Sequence, residues 1–141
     1  MLFTLSCANH AKRVYYQYKG ITITRIDKDA ESDFYFGHIA DEEKPPESYL
    51  KVTYPGIDGS MDGYLIFQKD SVSVISLTGY YNYSGAETPL KPNSRMDNGK
   101  FSRWEEEIEG KYANVCRISN DFDEQKKMNE ENKSDVVITM Q

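Results

Sequence analysis

Apolar and polar residues alternate along most of the chain, and β-branched and aromatic side chains fill most of the apolar positions. Val14-Tyr15-Tyr16-Gln17-Tyr18 precedes Lys19-Gly20, and Ile21-Thr22-Ile23-Thr24-Arg25-Ile26 follows. Successive side chains of a strand point to opposite faces, so Ile21, Ile23 and Arg25 share one face and Thr22, Thr24 and Ile26 the other. Asp27 to Asp33 reads as a polar turn, after which Phe34-Tyr35-Phe36 resumes the strand pattern, and Tyr49 to Tyr54 reads as a further strand. The clearest local signal is Tyr64-Leu65-Ile66-Phe67 and Val72 to Leu77 flanking Gln68-Lys69-Asp70-Ser71, which predicts a hairpin. Gly79 to Gly85 adds a short aromatic strand, Tyr112 to Ile118 is strand-like around Cys116, and Asp135 to Met140 closes the chain as a strand.

The punctuation between these runs fits the same class. Asp41 to Glu47 carries Pro45 and Pro46, which cannot join a central ladder, and so reads as a solvated loop. Residues 55–63 and 86–100 are rich in turn residues. Ser102-Arg103-Trp104-Glu105 fits a capping box, and Phe101, Trp104, Ile108 and Tyr112 fall at helical spacing, which predicts a short helix near residues 102–110. The competing reading there is a strand from Trp104 to Ile108. Residues 120–134 have only Phe122 and Met128 as apolar positions, so they read as a mobile loop or a weak surface helix. Strands do not alternate with helices, which argues against a parallel sheet. The expected fold is mainly β: a single antiparallel barrel-like or two-layer sheet of about eight strands with one short helix. Residues 14–140 form the domain on this reading, and residues 1–13 a truncated signal and tether.

The chain has 141 residues, the size of one domain, and no stretch approaches the roughly 20 apolar residues of a membrane-spanning helix. Lys plus Arg number 17 and Asp plus Glu 23, a net charge of −6. The acidic excess is −3 both through Asp70 (8 basic, 11 acidic) and after it (9 basic, 12 acidic). Without a basic stripe, nucleic-acid binding is not expected, because phosphate contact needs clustered Lys and Arg.

The two cysteines, Cys7 and Cys116, make no disulfide framework and have no metal-site spacing. Cys116 reads as a small buried hydrophobe. Met1-Leu2-Phe3-Thr4-Leu5-Ser6-Cys7 resembles the tail of a bacterial lipoprotein signal, with Ser6 as the small residue before the cysteine. The resemblance implies that Cys7 is the lipid attachment site. Ala8 to Arg13 would then be a tether, and the domain would be periplasmic or anchored to the outer membrane. The alternative is that Leu2, Phe3 and Leu5 alternate as a first strand.

Asp58, Ser60 and Asp62 alternate before Gly63 as oxygen ligands do in calcium loops, but Lys69 stands where such a loop places a bidentate Glu. That makes the segment a weak metal candidate beside the simpler reading of an Asp/Gly-rich turn. The histidines are His10 and His38, and neither has a second histidine spaced to help it hold zinc. No nucleophile elbow or glycine-rich phosphate loop is present, so no catalytic residue, enzyme activity or cofactor is expected.

Eleven tyrosines are unusual for this length. Tyr15, Tyr16 and Tyr18, and Tyr80, Tyr81 and Tyr83, form two clusters. Tyrosine suits a half-buried pleat, and it also offers contact area at protein interfaces. Gly63 to Phe67 with Asp70 and Val72-Ser73-Val74 is similar to a hairpin of small bacterial lipocalin-like domains, although Ser71 stands where that family has a glycine. This likeness implies a barrel as one architecture. The functional expectation is a non-enzymatic protein-binding module, of inhibitor or immunity type. An acidic face carrying the two tyrosine clusters would meet a basic protein partner, because such a surface speeds association with one. The alternative is a lipocalin-like carrier of a small apolar ligand.

Overall fold

A computed structural model of the chain describes residues 12–53, 62–76, 80–84, 88–92, 106 and 113–141, with the side chains of 80–84 and of 92 outside that description. Among the described residues, ten strands and one complete helix follow in order: β1 (Arg13–Tyr18), β2 (Ile21–Lys28), β3 (Glu31–Phe36), β4 (Tyr49–Thr53), β5 (Asp62–Phe67), β6 (Val72–Ser76), β7 (Tyr80–Ser84), β8 (Leu90–Pro92), β9 (Val115–Ser119), α1 (Phe122–Glu131) and β10 (Val137–Met140). The mainly β architecture is the expected one, in its two-layer form and not as a closed barrel. A six-stranded sheet runs β10-β1-β2-β3-β4-β7 and a four-stranded sheet runs β8-β6-β5-β9. Every described pairing is antiparallel except β6 with β8.

Two-residue alternation builds the layer between the sheets. Val14 and Tyr16 of β1, Ile23 of β2, Phe34 of β3, and Leu50 and Val52 of β4 meet Leu65, Phe67, Val72, Val74, Cys116 and Ile118 from the smaller sheet in one apolar cluster. Lys19 (φ +45°) and Gly20 (φ +82°) both take positive φ, the geometry of the two-residue turn whose twist matches its flanking strands. The β5–β6 hairpin forms as expected, closed by Gln68 N–H donating to Ser71 O at 2.8 Å.

The β2–β3 hairpin is longer than its sequence suggests. Asp27 to Asp33 is not one polar turn: β2 continues to Lys28, β3 starts at Glu31, and Asp29-Ala30 alone makes the bend. Its polar side chains stay in the ladder because they are partnered. Asp27 Oδ1 accepts from Arg25 Nε at 2.7 Å and from Ser32 Oγ at 2.6 Å, while buried Asp33 pairs with Lys28 Nζ at 2.8 Å.

Of the two readings of residues 120–134, the surface helix is the one that forms, over ten residues. Asp121 caps it, its carboxylate accepting from Glu124 N–H at 3.0 Å. The helix attaches through amides more than through an apolar stripe, which is why its hydropathy pattern is weak. Asn129 Oδ1 accepts from Arg117 N–H at 2.7 Å and Asn129 Nδ2 donates to Arg117 O at 2.8 Å, as a neighbouring strand would. Gln125 Oε1 accepts from Ser119 N–H at 3.0 Å and from the Tyr16 hydroxyl at 2.9 Å. The open edge of β9 is thereby covered by side chains. Of the helix expected near 102–110, only Glu106 lies among the described residues, and it is helical.

Candidate functional site

A strand facing solvent on one side should alternate cleanly, and the outer face of the larger sheet does not. Tyr15, Ile26 and Tyr35 point away from the inter-sheet layer, yet each is buried. The β3–β4 connection, residues 37–48, lies over them and contributes Ile39, which packs with Ile26, Tyr35 and Tyr49. The sheet is therefore buried on both faces around Tyr15, Thr24, Ile26 and Tyr35, and its outer face there forms a seat for this loop.

Backbone hydrogen bonds fix the loop in that seat. Gly37, at φ +113°, turns the chain back, and its N–H donates to Thr22 O at 2.7 Å. Thr24 Oγ1 donates to Gly37 O at 2.7 Å and accepts from Ile39 N–H at 3.0 Å. Ile39 O accepts from Arg13 Nη1 at 3.1 Å and from the Tyr15 hydroxyl at 2.8 Å, and Arg13 also donates to Ala40 O. The His38 ring stacks on Tyr15 with centroids 4.4 Å apart. Burial raises the Tyr15 phenol above its ordinary pKa, with Arg13 beside it pulling the other way.

Beyond Ala40 the chain turns outward. Asp41, Glu42, Glu43 and Glu47 are exposed, with Lys44 the one exposed basic residue between them. Four carboxylates against one ammonium leave this short loop with an excess of three negative charges. Asp41 Oδ1 lies 3.8 Å from Arg13 Nε, and Glu43 N–H closes a turn on Ala40 O at 2.9 Å. The ordering of Gly37 to Ala40 is built into the fold, so a partner approaching the carboxylates meets a preformed surface.

The predicted site residues fall differently. Tyr16 is fully buried between the sheets and Tyr15 is under the loop, so neither offers an exposed contact face; paired sheets bury both parities of a strand that lies between two covers. Tyr18 is half-buried at one end of the inter-sheet layer, its ring centroid 5.8 Å from that of Phe67. Tyr80, Tyr81 and Tyr83 lie on β7, opposite Thr53, Val52 and Leu50 of β4, and their side chains are outside the described residues. Cys7 also lies outside them, as do Asp58 and Ser60. Asp62 is described, and its Oδ1 accepts from Arg117 Nη2 at 2.6 Å. Among the described residues no group of three or more His, Cys, Asp or Glu side chains is placed to hold a metal ion. Cys116 is a free buried thiol, raised well above its ordinary pKa by burial. His38 lies on the far side of the larger sheet from it, so the two form no pair.

The clamp residues Arg13, Thr24 and Ile39 were not singled out from the sequence. The available signal was aromatic residues at adjacent positions, in Tyr15-Tyr16 and Phe34-Tyr35-Phe36, which implies apolar cover on both faces of a strand. No protein-family model, curated protein or solved structure matches the chain. No helix among the described residues is long and apolar enough to cross a membrane.

Proposed function

We propose that this protein is a non-enzymatic protein-binding module whose recognition element is the acidic 41–47 loop. One observation carries the reading: Arg13, Tyr15 and Thr24 immobilise the loop's stem while the four carboxylates stay exposed. Ordering a loop in advance removes an entropy cost from binding, and a fixed cluster of like charge steers a partner of opposite charge. The partner is a basic protein surface, in an inhibitor or immunity-type relationship. On the same reading Cys7 carries the lipid, and the residues between it and Lys12 tether the domain to a bacterial envelope, while Arg13, expected in that tether, belongs to β1.

A carrier of lipocalin type would need a cavity in the middle of the sandwich, and the middle of the inter-sheet layer is filled by Val14, Tyr16, Phe34, Leu50, Leu65 and Val74. The test of the binding reading is affinity capture from bacterial envelope extract with the wild-type chain and with a Glu42→Lys/Glu47→Lys variant. A basic protein held at low salt, released as salt rises, and absent from the variant supports it. A capture profile that the charge reversal leaves unchanged contradicts it.

A further inference from the structure

At the end of the sandwich where the β1–β2 and β5–β6 turns lie, the two sheets leave a cleft of about 380 Å³. Tyr18 and Ile21 from the larger sheet and Phe67 from the smaller one line it, and Asn114 closes one side. Asn114 is fixed there by two bonds to β5: its Nδ2 donates to Phe67 O at 2.8 Å, and its carbonyl accepts from Phe67 N–H at 3.0 Å. Phe36, one of the few large apolar side chains exposed among the described residues, at 37%, lies on the same inner face as Ile21, opposite Ile23 in the register.

The charge of this cleft is opposite to that of the molecule. The chain carries −6, yet among the described residues the titratable side chains lining the cleft besides Tyr18 are both lysines. Lys19 stands at the tip of the β1–β2 turn, its Nζ 5.4 Å from the centre of the Tyr18 ring. Lys69 stands in the β5–β6 turn on the other side. Neither has a carboxylate partner among the described residues. An aromatic and aliphatic floor with two unpaired ammonium groups at its rim complements a molecule that is apolar along its body and anionic at one end. The volume falls in the range of small-ligand sites, roughly 300–1,000 Å³.

We propose that this cleft binds a small amphipathic monocarboxylate, its apolar body on Tyr18, Ile21 and Phe67 and its carboxylate between Lys19 and Lys69. The site lies apart from the acidic loop and stands or falls independently of it.

The experiment is a titration of the full chain with octanoate, followed by amide NMR shifts, with 1-octanol as the uncharged comparison. The expected result is saturable shifts confined to residues 18–21, 67–69 and 114, with octanol binding more weakly. A Lys19→Asn/Lys69→Gln variant, altered only at exposed positions, should bind octanoate about three- to tenfold more weakly and octanol unchanged. A Lys126→Gln/Lys127→Gln variant on α1 should bind both as wild type does. Linear, unsaturable shifts, shifts centred elsewhere, or equal octanoate affinity in the cleft variant would overturn the proposal.

Discussion

Replacing Asn129 with alanine removes the side chain that partners the edge of β9, and the cost can be worked from its bonds. The carboxamide accepts from Arg117 N–H at 2.7 Å and donates to Arg117 O at 2.8 Å and to Gln125 O at 2.7 Å. The Gln125 carbonyl loses least, because the helix ladder supplies it with a second donor. The two Arg117 groups lose most. Each bond is worth about 1 kcal/mol net, rising to about 2.5 kcal/mol where the abandoned group stays dry. Two such losses come to about 2–5 kcal/mol. Alanine's better helix propensity returns about 0.5 kcal/mol, leaving a net loss of about 1.5–4.5 kcal/mol. In urea denaturation this should appear as a lower midpoint with an unchanged slope, and in a thermal scan as a fall in Tm on the order of 10 °C. Asn129→Asp should also destabilise, because a carboxylate keeps an acceptor for Arg117 N–H but faces Arg117 O with a second oxygen. Lys127→Ala, at an exposed position on the same helix, should stay within about 0.5 kcal/mol of wild type. A loss below about 0.5 kcal/mol for Asn129→Ala, with unchanged hydrogen exchange at the Arg117 amide, would refute the role assigned to this side chain.

Gly63→Ala should be among the most damaging single changes, since an added Cβ would lie 1.8 Å from Ile75 O in the paired strand β6; a denaturation curve showing less than about 2 kcal/mol of loss would contradict the register of this hairpin. Arg25→Lys should lower stability by about 2 kcal/mol in urea denaturation, because three guanidinium nitrogens reach Asp27 Oδ1 at 2.7 Å, Ser119 O at 2.8 Å and Asn120 Oδ1 at 3.0 Å, and the single nitrogen of an ammonium cannot reach all three. Stability should fall in alkali: burial raises both the Cys116 thiol and the Tyr16 phenol, the latter against the pull of Arg25. The unfolded chain releases these protons near the ordinary values of 9.0 and 10.0 while the folded one keeps them, so the stability they confer is complete below about pH 9 and declines above it. Urea midpoints measured from pH 7 upward should show that decline, shallower in Cys116→Ala by about 1.4 kcal/mol per pH unit above the thiol's unfolded value; a flat profile to pH 11 would contradict the burial of both groups.

The strand framework was legible because its inner-face residues obey a period of two. Ile21, Ile23 and Arg25 share the face read from their spacing, and Tyr64 to Phe67 pairs with Val72 to Ile75 across the expected turn. The polar stretches were harder to read. Asp27, Ser32 and Asp33 look like turn residues until the partners that hold them in the ladder are known, and those partners include Arg25 and Lys28. Residues 120–134 look loose because Gln125 and Asn129 attach the helix by hydrogen bonds that leave no hydrophobic period. The acidic loop was legible as solvated from its prolines and carboxylates. Its anchoring was not, since Arg13 and Tyr15 reach it from a strand more than twenty positions earlier.

The reading of function rests on the stem of that loop being part of the folded sheet. Hydrogen exchange at the Gly37 and Ile39 amides measures this directly, because these two groups donate to Thr22 O and Thr24 Oγ1 on β2. Protection comparable to that of the β2 amides, lowered selectively by Arg13→Met, is the predicted result. Exchange of both amides at free-peptide rates while β1 to β3 remain protected would contradict it.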